Sequence, residues 1–521
     1  MRHYILIVIL SIVMSHSGSS QYFSRSYFTD NPRTQHAKQI ITISNSTYPV
    51  IVRKERCDDD SACTKLFRMD NDGNIIWESE IVQTTNFDPC VEHEGFIYCS
   101  GIGNDTLPYT KLTLSKAKVS TGEQIWTKIY PIPTDIYIGA YPFATAIQDD
   151  KIVIISQSKL ANSSSYQLRS LFMRLDTDGE VIDSLYAYNT HWYEELYDAV
   201  GMRDGSLAFL DCGYDSLGGQ EFHNILREIS PGVLDTIYEH YRVENFDLRG
   251  QMAMNADEDF FIQLHPADTL ILFRPSIVPS IAKIRKEVGI LWQTTVLPAG
   301  ESHGSMDVTN ISATMDGGVL VCGFEYPSVS YEEFTQEGKY FTSAFIFRLA
   351  SDGTLLWKRR YTRPLNEEDN DKNRPYSAFY DVKELPDGSI VAGGDIYDDF
   401  WNGSEEELLI VKMDSDGCIL PGCGENVPLH PYEGSPVIDD VEPKPYKIYP
   451  IPATDHVTIS GIDNLSKVLI NDIAGRRIKD ISDAEFRTFY FKSVVWREKL
   501  RKFVYTAADV VYSLLSFRKK D

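Results

Sequence analysis

A repeat constrains this chain more than any other feature. A turn followed by an apolar pair, and in several copies by Trp, recurs along it. The strong copies are Asp72-Gly73-Asn74-Ile75-Ile76-Trp77, Thr121-Gly122-Glu123-Gln124-Ile125-Trp126, Asp352-Gly353-Thr354-Leu355-Leu356-Trp357 and, one residue shorter, Gly289-Ile290-Leu291-Trp292. Weaker copies stand at Asp178-Gly179-Glu180-Val181-Ile182, Pro231-Gly232-Val233-Leu234 and Asp416-Gly417-Cys418-Ile419-Leu420. Successive turn glycines lie 49, 57, 53, 57, 64 and 64 residues apart. Self-similarity at such a period marks a chain built by stacking one supersecondary unit.

The unit is a pair of hairpins. Ahead of each copy runs a segment that alternates apolar and polar residues, such as Lys65-Leu66-Phe67-Arg68-Met69 or Phe345-Ile346-Phe347-Arg348-Leu349, as a half-buried strand requires. Between copies comes a second turn and apolar run: Asp204-Gly205-Ser206-Leu207, Asp316-Gly317-Gly318-Val319 and Asp387-Gly388-Ser389-Ile390. Asp-Gly supplies the positive φ that tight hairpins need. Two hairpins make a four-stranded unit of about 45–60 residues, the size of a propeller blade. Seven units fill residues 40–425, so the expected fold is all-β, a seven-bladed β-propeller. The competing arrangement is a sandwich of unrelated hairpins, and the regular order of the two turn types favours the propeller. Trp77, Trp126, Trp292 and Trp357 are expected to pack between neighbouring blades, ring buried and N–H near a backbone acceptor. Asp183 stands where the third copy would carry its Trp.

The repeats resemble the secreted propellers of Bacteroidetes-type bacteria, whose blades end in a similar Asp-Gly-apolar-apolar-Trp. They are also similar to quinoprotein-like propellers, which carry a Thr-Gly turn before Trp as Thr121 to Trp126 does. Quinoprotein enzymes commonly have a vicinal Cys-Cys pair and this chain has none, so no cofactor is expected. Repeat motifs of this kind carry a fold and not an activity.

Both ends read as addresses. Met1-Arg2-His3, the apolar run Tyr4 to Met14 and the small polar stretch to Ser20 form the pattern of a secretory signal, residues 1–20. Eleven apolar positions are too few to span a bilayer, and no later segment is long enough, so no transmembrane span is expected. Residues 426–445 are Pro-rich and read as a linker. Then come Tyr449-Pro450-Ile451-Pro452-Ala453 and Val468-Leu469-Ile470-Asn471-Asp472-Ile473-Ala474-Gly475-Arg476. With Tyr449, Pro450, Pro452, Ala453, Asp472, Gly475 and Arg476, residues 446–480 resemble the C-terminal sorting domain of type IX secretion cargo. That domain is a small β-sandwich, and Ile451 departs from its usual Asn. The resemblance implies recognition by the type IX secretion machinery, passage through the outer membrane, and release or surface attachment. The tail 481–521 is atypical. It holds nine Lys+Arg against five Asp+Glu, a balance of +4, whereas the preceding residues carry 41 against 70, or −29. A reading-frame change near Asp480 and a divergent genuine ending are the two readings of it.

The eight cysteines suit an oxidising compartment. Cys418 and Cys423 flank a Pro-Gly turn, Cys90 and Cys99 are equidistant from the turn at Glu94-Gly95, and Cys57 and Cys63 flank Asp58-Asp59-Asp60. These are the candidate disulfides, with buried thiols as the alternative, preferred for Cys212 and Cys322. No CxxC occurs and no His accompanies these cysteines, which argues against zinc.

Chemistry is harder to find. Gly300-Glu301-Ser302-His303-Gly304 matches G-x-S-x-G by letters, but Met306 to Ile311 after it reads as a strand, not the helix a nucleophile elbow requires. His93-Glu94 lacks the second His of a zinc-protease motif, since position 97 is Ile. Asp70-Asn71-Asp72-Gly73 resembles the start of a calcium loop, yet the twelfth residue is Ile81 and not Glu. No catalytic, cofactor or metal residue is nominated. The net charge, 50 Lys+Arg against 75 Asp+Glu, is −25 and repels phosphate backbones, so nucleic acid is not an expected partner. The expectation is an exported, cell-surface or extracellular propeller of binding type, taking a protein or glycan ligand at its loop face. The alternatives are a secreted hydrolase or lyase with paired carboxylates at the channel, and a structural surface component.

Overall fold

The computed structural model describes residues 22–27, 36–43, 46–56, 62–81, 89–103, 111–132, 137–160, 168–187, 193–214, 221–230, 233–243, 251–264, 279–296, 305–326, 342–362, 376–397, 407–420 and 422–429, with short strands at 447–449, 456–460, 465–471, 477–482, 489–490 and 515–519. Every element among them is a β-strand. No helix among them is long and apolar enough to cross a membrane.

Seven antiparallel sheets follow one another, each built inside to outside in chain order. Blade 1 is His36–Ile41, Val50–Arg56, Ala62–Met69 and Ile75–Ile81; blade 2 is Cys90–His93, Phe96–Ile102, Lys111–Lys118 and Gln124–Pro131. Blade 3 is Tyr137–Gln148, Lys151–Leu160, Leu168–Leu175 and Val181–Ala187; blade 4 is Tyr193–Gly201, Leu207–Tyr214, Glu221–Ser230 and Val233–Val243. Blade 5 is Met252–Met254, Phe260–Leu264, Ser280–Arg285 and Gly289–Thr295; blade 6 is Ser305–Ala313, Val319–Tyr326, Ser343–Leu349 and Leu355–Thr362. Blade 7 contributes Tyr376–Glu384, Ile390–Tyr397 and Glu407–Met413. Each inner strand lies against the inner strand of the next blade, and that of blade 7 returns to blade 1. The fold is a closed seven-bladed β-propeller.

Closure corrects one expectation. The seventh turn forms at Gly417, but it does not start an outer strand of blade 7. That edge is filled by Phe23–Tyr27 from near the N-terminus, paired antiparallel with Glu407–Met413. The chain beyond Gly417 is held by the Cys418–Cys423 disulfide, and Asn426–Pro428 then pairs in parallel with Leu355–Thr362 as a fifth strand on blade 6. The propeller therefore draws on residues outside 40–425 at both ends. The reason is legible in the side chains. Phe23-Ser24-Arg25-Ser26-Tyr27 has an aromatic, a base and a Tyr at the spacing of Trp126-Thr127-Lys128-Ile129-Tyr130 and Trp357-Lys358-Arg359-Arg360-Tyr361.

That spacing serves a latch between blades. Each outer-strand aromatic covers the turn glycine of the following blade: Phe23 over Gly73, Trp77 over Gly122, Trp126 over Gly179, Trp292 over Gly353 and Trp357 over Gly417. A Cβ at Gly353 would stand 2.7 Å from the Trp292 ring, and φ there is +86°, so both space and backbone require glycine. The indole N–H donates to the same turn: Trp77 to Val119 O at 3.1 Å, Trp292 to Ser351 O at 2.8 Å and Trp357 to Ser415 O at 3.0 Å. Four residues after the aromatic, Tyr27, Tyr130 and Tyr361 donate their hydroxyls to Gly73 O, Gly179 O and Gly417 O at 2.7 to 2.8 Å. Opposite the aromatic in register, the third strand carries a base: Arg68, Lys116, Lys283, Arg348 and Lys412. Lys116 Nζ reaches Thr177 O at 2.8 Å and Lys412 Nζ reaches Asn71 Oδ1 at 2.7 Å, again in the next blade's turn.

Blades 3 and 4 break the pattern. Asp183 replaces the Trp and forms an ion pair with Arg174, the base opposite it. In blade 4 Asp235 holds that position, and the third strand carries Glu228, which pairs at 2.5 Å with Lys286 from the turn of blade 5. Gly232 lies outside the described residues. Apolar contact fills the space between blades. Leu320, Ile346 and Tyr361 of blade 6, for example, pack on Phe379, Ala392 and Val411 of blade 7. Each such side chain contributes about 1.5–3 kcal/mol when fully buried.

Residues Ser20–Ser435 form one compact unit, and the strands beyond Pro436 belong to another. In the second, Lys447–Tyr449, His456–Ser460 and Phe489–Tyr490 make one three-stranded sheet, and Arg477–Ser482, Leu465–Asn471 and Leu515–Lys519 another. The atypical tail thus supplies two short paired strands, Phe489–Tyr490 and Leu515–Lys519. Tyr449 ends the first strand of this unit, whereas Pro450, Pro452, Ala453, Asp472, Gly475 and Arg476 lie outside the described residues, as do residues 1–20.

Candidate functional site

The residues that the repeat singles out do not line a site. Gly73, Gly122, Gly179, Gly353 and Gly417 occupy turns and Trp77, Trp126, Trp292 and Trp357 sit on outer strands, all in the latches between blades, while Gly289 opens the outer strand of blade 5 with nothing packed on it. The disulfide Cys90–Cys99 joins directly opposed residues of the inner hairpin of blade 2, and Cys418–Cys423 closes the loop after blade 7. Cys57 and the side chain of Cys63 lie outside the described residues, as does that of Cys212. Cys322 is a buried free thiol; desolvation raises its pKa far above the ordinary thiol range, which keeps it unreactive. The Asp70 carboxylate accepts the main-chain N–H of Asp72 and Asn74, so it serves its own turn. Gly300 to Gly304 lie outside the described residues, and Ser305–Ala313 after them is a strand.

The propeller's two faces differ. Both families of tight Gly turns close one face. At the opposite face the strand ends lead into the longer connections, such as 327–341, 363–375 and 398–406, which are outside the described residues. Between the faces run the inner strands. Five of them bulge at one register: at Lys38, Phe143, Tyr197, Thr309 and Tyr380. The residue after each bulge points the same way, so Gln39, Ala144, Asp198, Asn310 and Asp381 occupy equivalent positions around the axis.

Three of these positions join blades. Gln39 Nε2 donates to Cys90 O and its Oε1 accepts from Cys90 N, both at 2.9 Å. Asp381 Oδ2 accepts from Ile40 N at 2.6 Å and Oδ1 from Val382 N at 2.8 Å, while Lys383 Nζ stands 3.3 Å from Oδ1. Asp198 accepts from Ala199 N at 2.8 Å and from the main chain of Met252 in blade 5. Burial pushes the Asp198 carboxyl up to about 6, opposed by those N–H groups and by the Lys383 charge. Asp381 is likewise raised by burial, against the pull of Lys383. Two carboxylates from different blades do share one tier of the inner ring. Both are engaged by main-chain donors of the neighbouring inner strand, which is the work of a rivet.

A second cluster lies at the long-loop end of blade 7. Tyr376 and Tyr397 are opposed in register, with ring centroids 5.2 Å apart and planes at 80°. Phe324 of blade 6 approaches Tyr376 at 6.2 Å. All three rings are half-buried. Beneath them the Tyr380 hydroxyl donates to Asp395 Oδ2 at 3.0 Å and is hydrogen-bonded to Tyr376. Burial first, and the Asp395 carboxylate second, hold that phenol far above its ordinary value, so it stays a proton donor. Asp395 is 1% exposed, and Lys38 Nζ of blade 1 lies 5.4 Å from the Tyr380 ring centroid. No reading of the repeat found either group. One signal was available: Tyr193-x-x-Leu196-Tyr197-Asp198 and Tyr376-x-x-Phe379-Tyr380-Asp381 are copies of one inner-strand pattern. Among the described residues no group of three or more His, Cys, Asp or Glu is arranged to hold a metal ion.

No protein-family profile matches the chain, and no curated protein sequence matches it. Solved structures do overlay on it. A protein of unknown function from Bacteroides caccae is 14% identical, with 61% of this chain and 90% of that one covered, at a TM-score of 0.32. The propeller domain of the Trilobed protease from Pyrococcus furiosus is 9% identical over 73% and 96%, at 0.40. The NanB sialidase from Streptococcus pneumoniae is 11% identical over 76% and 70%, at 0.38. Overlaps this loose do not bear on chemistry. The seven-bladed assignment rests on the strand pairing itself.

Proposed function

We propose that this chain is an exported propeller of binding type, carried through the outer membrane by the type IX secretion machinery and acting at the cell surface or outside it. The carrying observation is how the inner ring uses its acids. A hydrolase of the two-carboxylate kind needs a proton donor and a base open to substrate. Asp198 and Asp381 instead accept main-chain N–H groups across blade boundaries. The half-buried aromatic cluster of blade 7 has the make-up of a recognition surface, apolar rings with a few polar groups set among them. Export is supported by the leader pattern of residues 1–20, by the sorting-domain resemblance of 446–480, and by two disulfides, which persist in oxidising compartments.

Two measurements test this reading. In a host with type IX secretion, the chain is weighed from medium, cell surface and periplasm. A product beginning after about Ser20 and ending near the Pro-rich linker, outside the cell, is expected. Periplasmic retention with 481–521 still attached would overturn the export route. Purified propeller incubated with polysaccharides and peptides should release no new reducing ends or amines, and steady release would overturn the binding reading.

A further inference from the structure

We infer that Lys412 and Asn71 join in an isopeptide bond, a covalent clasp between blade 7 and blade 1 where the ring closes. The modification is independent of the binding reading above and holds for a propeller of any activity. Lys412 lies on the third strand of blade 7 and is buried, at 2% exposure. Among the described residues its ammonium has one hydrogen-bond partner, Asn71 Oδ1 at 2.7 Å in the outer turn of blade 1. The same repeat position is served differently in other blades. Lys283 pairs with Asp259 at 3.0 Å, and Arg348 pairs with Asp316 at 3.0 Å and Glu384 at 3.1 Å. Lys116 lies over the Phe96 ring and donates to the Thr177 main-chain carbonyl. A buried ammonium that meets a single neutral carboxamide is the costly case, because little offsets its lost hydration. Amide formation removes that charge.

The pair also suits the reaction. Burial lowers the Lys412 pKa, against the pull of the Asp387, Asp72 and Asp70 carboxylates, which enlarges the share of neutral, nucleophilic amine. Nζ attacks Asn71 Cγ, the Cγ–Nδ2 bond breaks, and Nδ2 leaves as ammonia. The amine proton passes by way of one of those carboxylates to the departing nitrogen, so no other reactant is consumed. The closing strand fixes the turn that carries Asn71: Tyr27 donates to Gly73 O at 2.7 Å and Arg25 to Asn74 Oδ1 at 3.2 Å. The two residues are 341 positions apart, so the bond ties nearly the whole ring into one loop.

The test weighs the chain as recovered from its host, from whichever compartment holds it, with disulfides reduced and thiols alkylated. A proteolytic digest then maps its ends and its peptides. The mass is expected to fall short of the mapped sequence by one ammonia, about 17 Da, with one branched peptide joining Asn71 to Lys412. Asn71→Ala and Lys412→Arg should each match the mass of their own sequences, lack the branched peptide and melt at a lower temperature than the parent. A parent of full sequence mass would overturn the proposal. So would an ammonia lost at another residue with Asn71 and Lys412 on separate peptides, or a branched peptide that survives in either variant. If a variant does not fold, the parent's mass and peptide map still decide. The compartment of recovery bears on the export reading alone.

Discussion

Replacing Gly353 with Ala tests the latch directly, because two costs fall on that position and a second glycine carries only one of them. At Gly388 φ is +80° and nothing lies within 4 Å of a built Cβ, so Gly388→Ala registers backbone strain alone, about 1–2 kcal/mol. At Gly353 φ is +86° and the Cβ would stand 2.7 Å from the Trp292 ring. Overpacking adds about 1–3 kcal/mol, so Gly353→Ala should cost about 2–5 kcal/mol in all. Trp292→Ala in the same chain removes the clash. In that background Gly353→Ala should fall back to the Gly388→Ala value, a coupling of about 1–3 kcal/mol. The assay is urea unfolding of the four variants and Gly388→Ala, with transitions followed by far-ultraviolet circular dichroism and by fluorescence so that coincidence of the probes is checked. Equal costs at 353 and 388, or an additive cycle, would refute the claim that the indole sits on the next blade's glycine.

Three further outcomes follow from the same geometry. Asp198 has a folded carboxyl at about 6 against about 3.9 unfolded, so the folded state prefers it protonated and stability falls as pH rises between those values, by up to about 3 kcal/mol. Asp198→Asn should remove that loss, so its stability relative to the parent rises from pH 4 to pH 7 and then stays level; a difference flat with pH would refute the assignment. Removing the Cys418–Cys423 disulfide should free the Asn426–Pro428 strap, giving faster amide exchange at Arg360 and Leu429, whose N–H groups donate to Glu425 O and Thr362 O, with exchange in blades 2 and 3 unchanged. Tyr27→Phe, Tyr130→Phe and Tyr361→Phe should each cost about 1–2 kcal/mol in chemical denaturation, because each strips one hydroxyl donor from a turn-glycine carbonyl; a silent Tyr27→Phe would show that the N-terminal strand is not held as the other outer strands are.

Blade number and turn positions were legible because a tight turn is local chemistry: Asp-Gly at 72–73, 352–353 and 387–388 fixes a hairpin wherever it occurs. Opposed pairs such as Cys90 and Cys99 follow from counting outward from such a turn. Closure was not local. The turn at Gly417 promised an outer strand for blade 7, yet the strand used lies nearly four hundred residues earlier in the chain, at Phe23–Tyr27. Its likeness to Trp126 to Tyr130 and Trp357 to Tyr361 shows only once the aromatic-base-Tyr spacing is known to matter. The candidate site was illegible for another reason. Asp395, Tyr380 and Lys38 come together from three strands of two blades, and nothing in a repeat marks which copy carries this added polar contact.

The latches also explain why Asp183 and Asp235 are tolerable where Trp is the rule. Five successive boundaries, from that between blades 5 and 6 around through blade 1 to that between blades 2 and 3, are each covered by an outer-strand aromatic, at Trp292, Trp357, Phe23, Trp77 and Trp126. Neither boundary of blade 4 has one: Asp183 pairs with Arg174 inside blade 3, and Glu228 pairs with Lys286 across to blade 5. An aromatic lid works by burying area, whereas an ion pair with one partner at the surface, as Lys286 is, weakens as ionic strength rises. The ring is thus uneven, and blade 4 is where salt should loosen it first. That blade carries Asp198, whose carboxylate reaches into blade 5, so the inner rivet works where the outer latch is weakest.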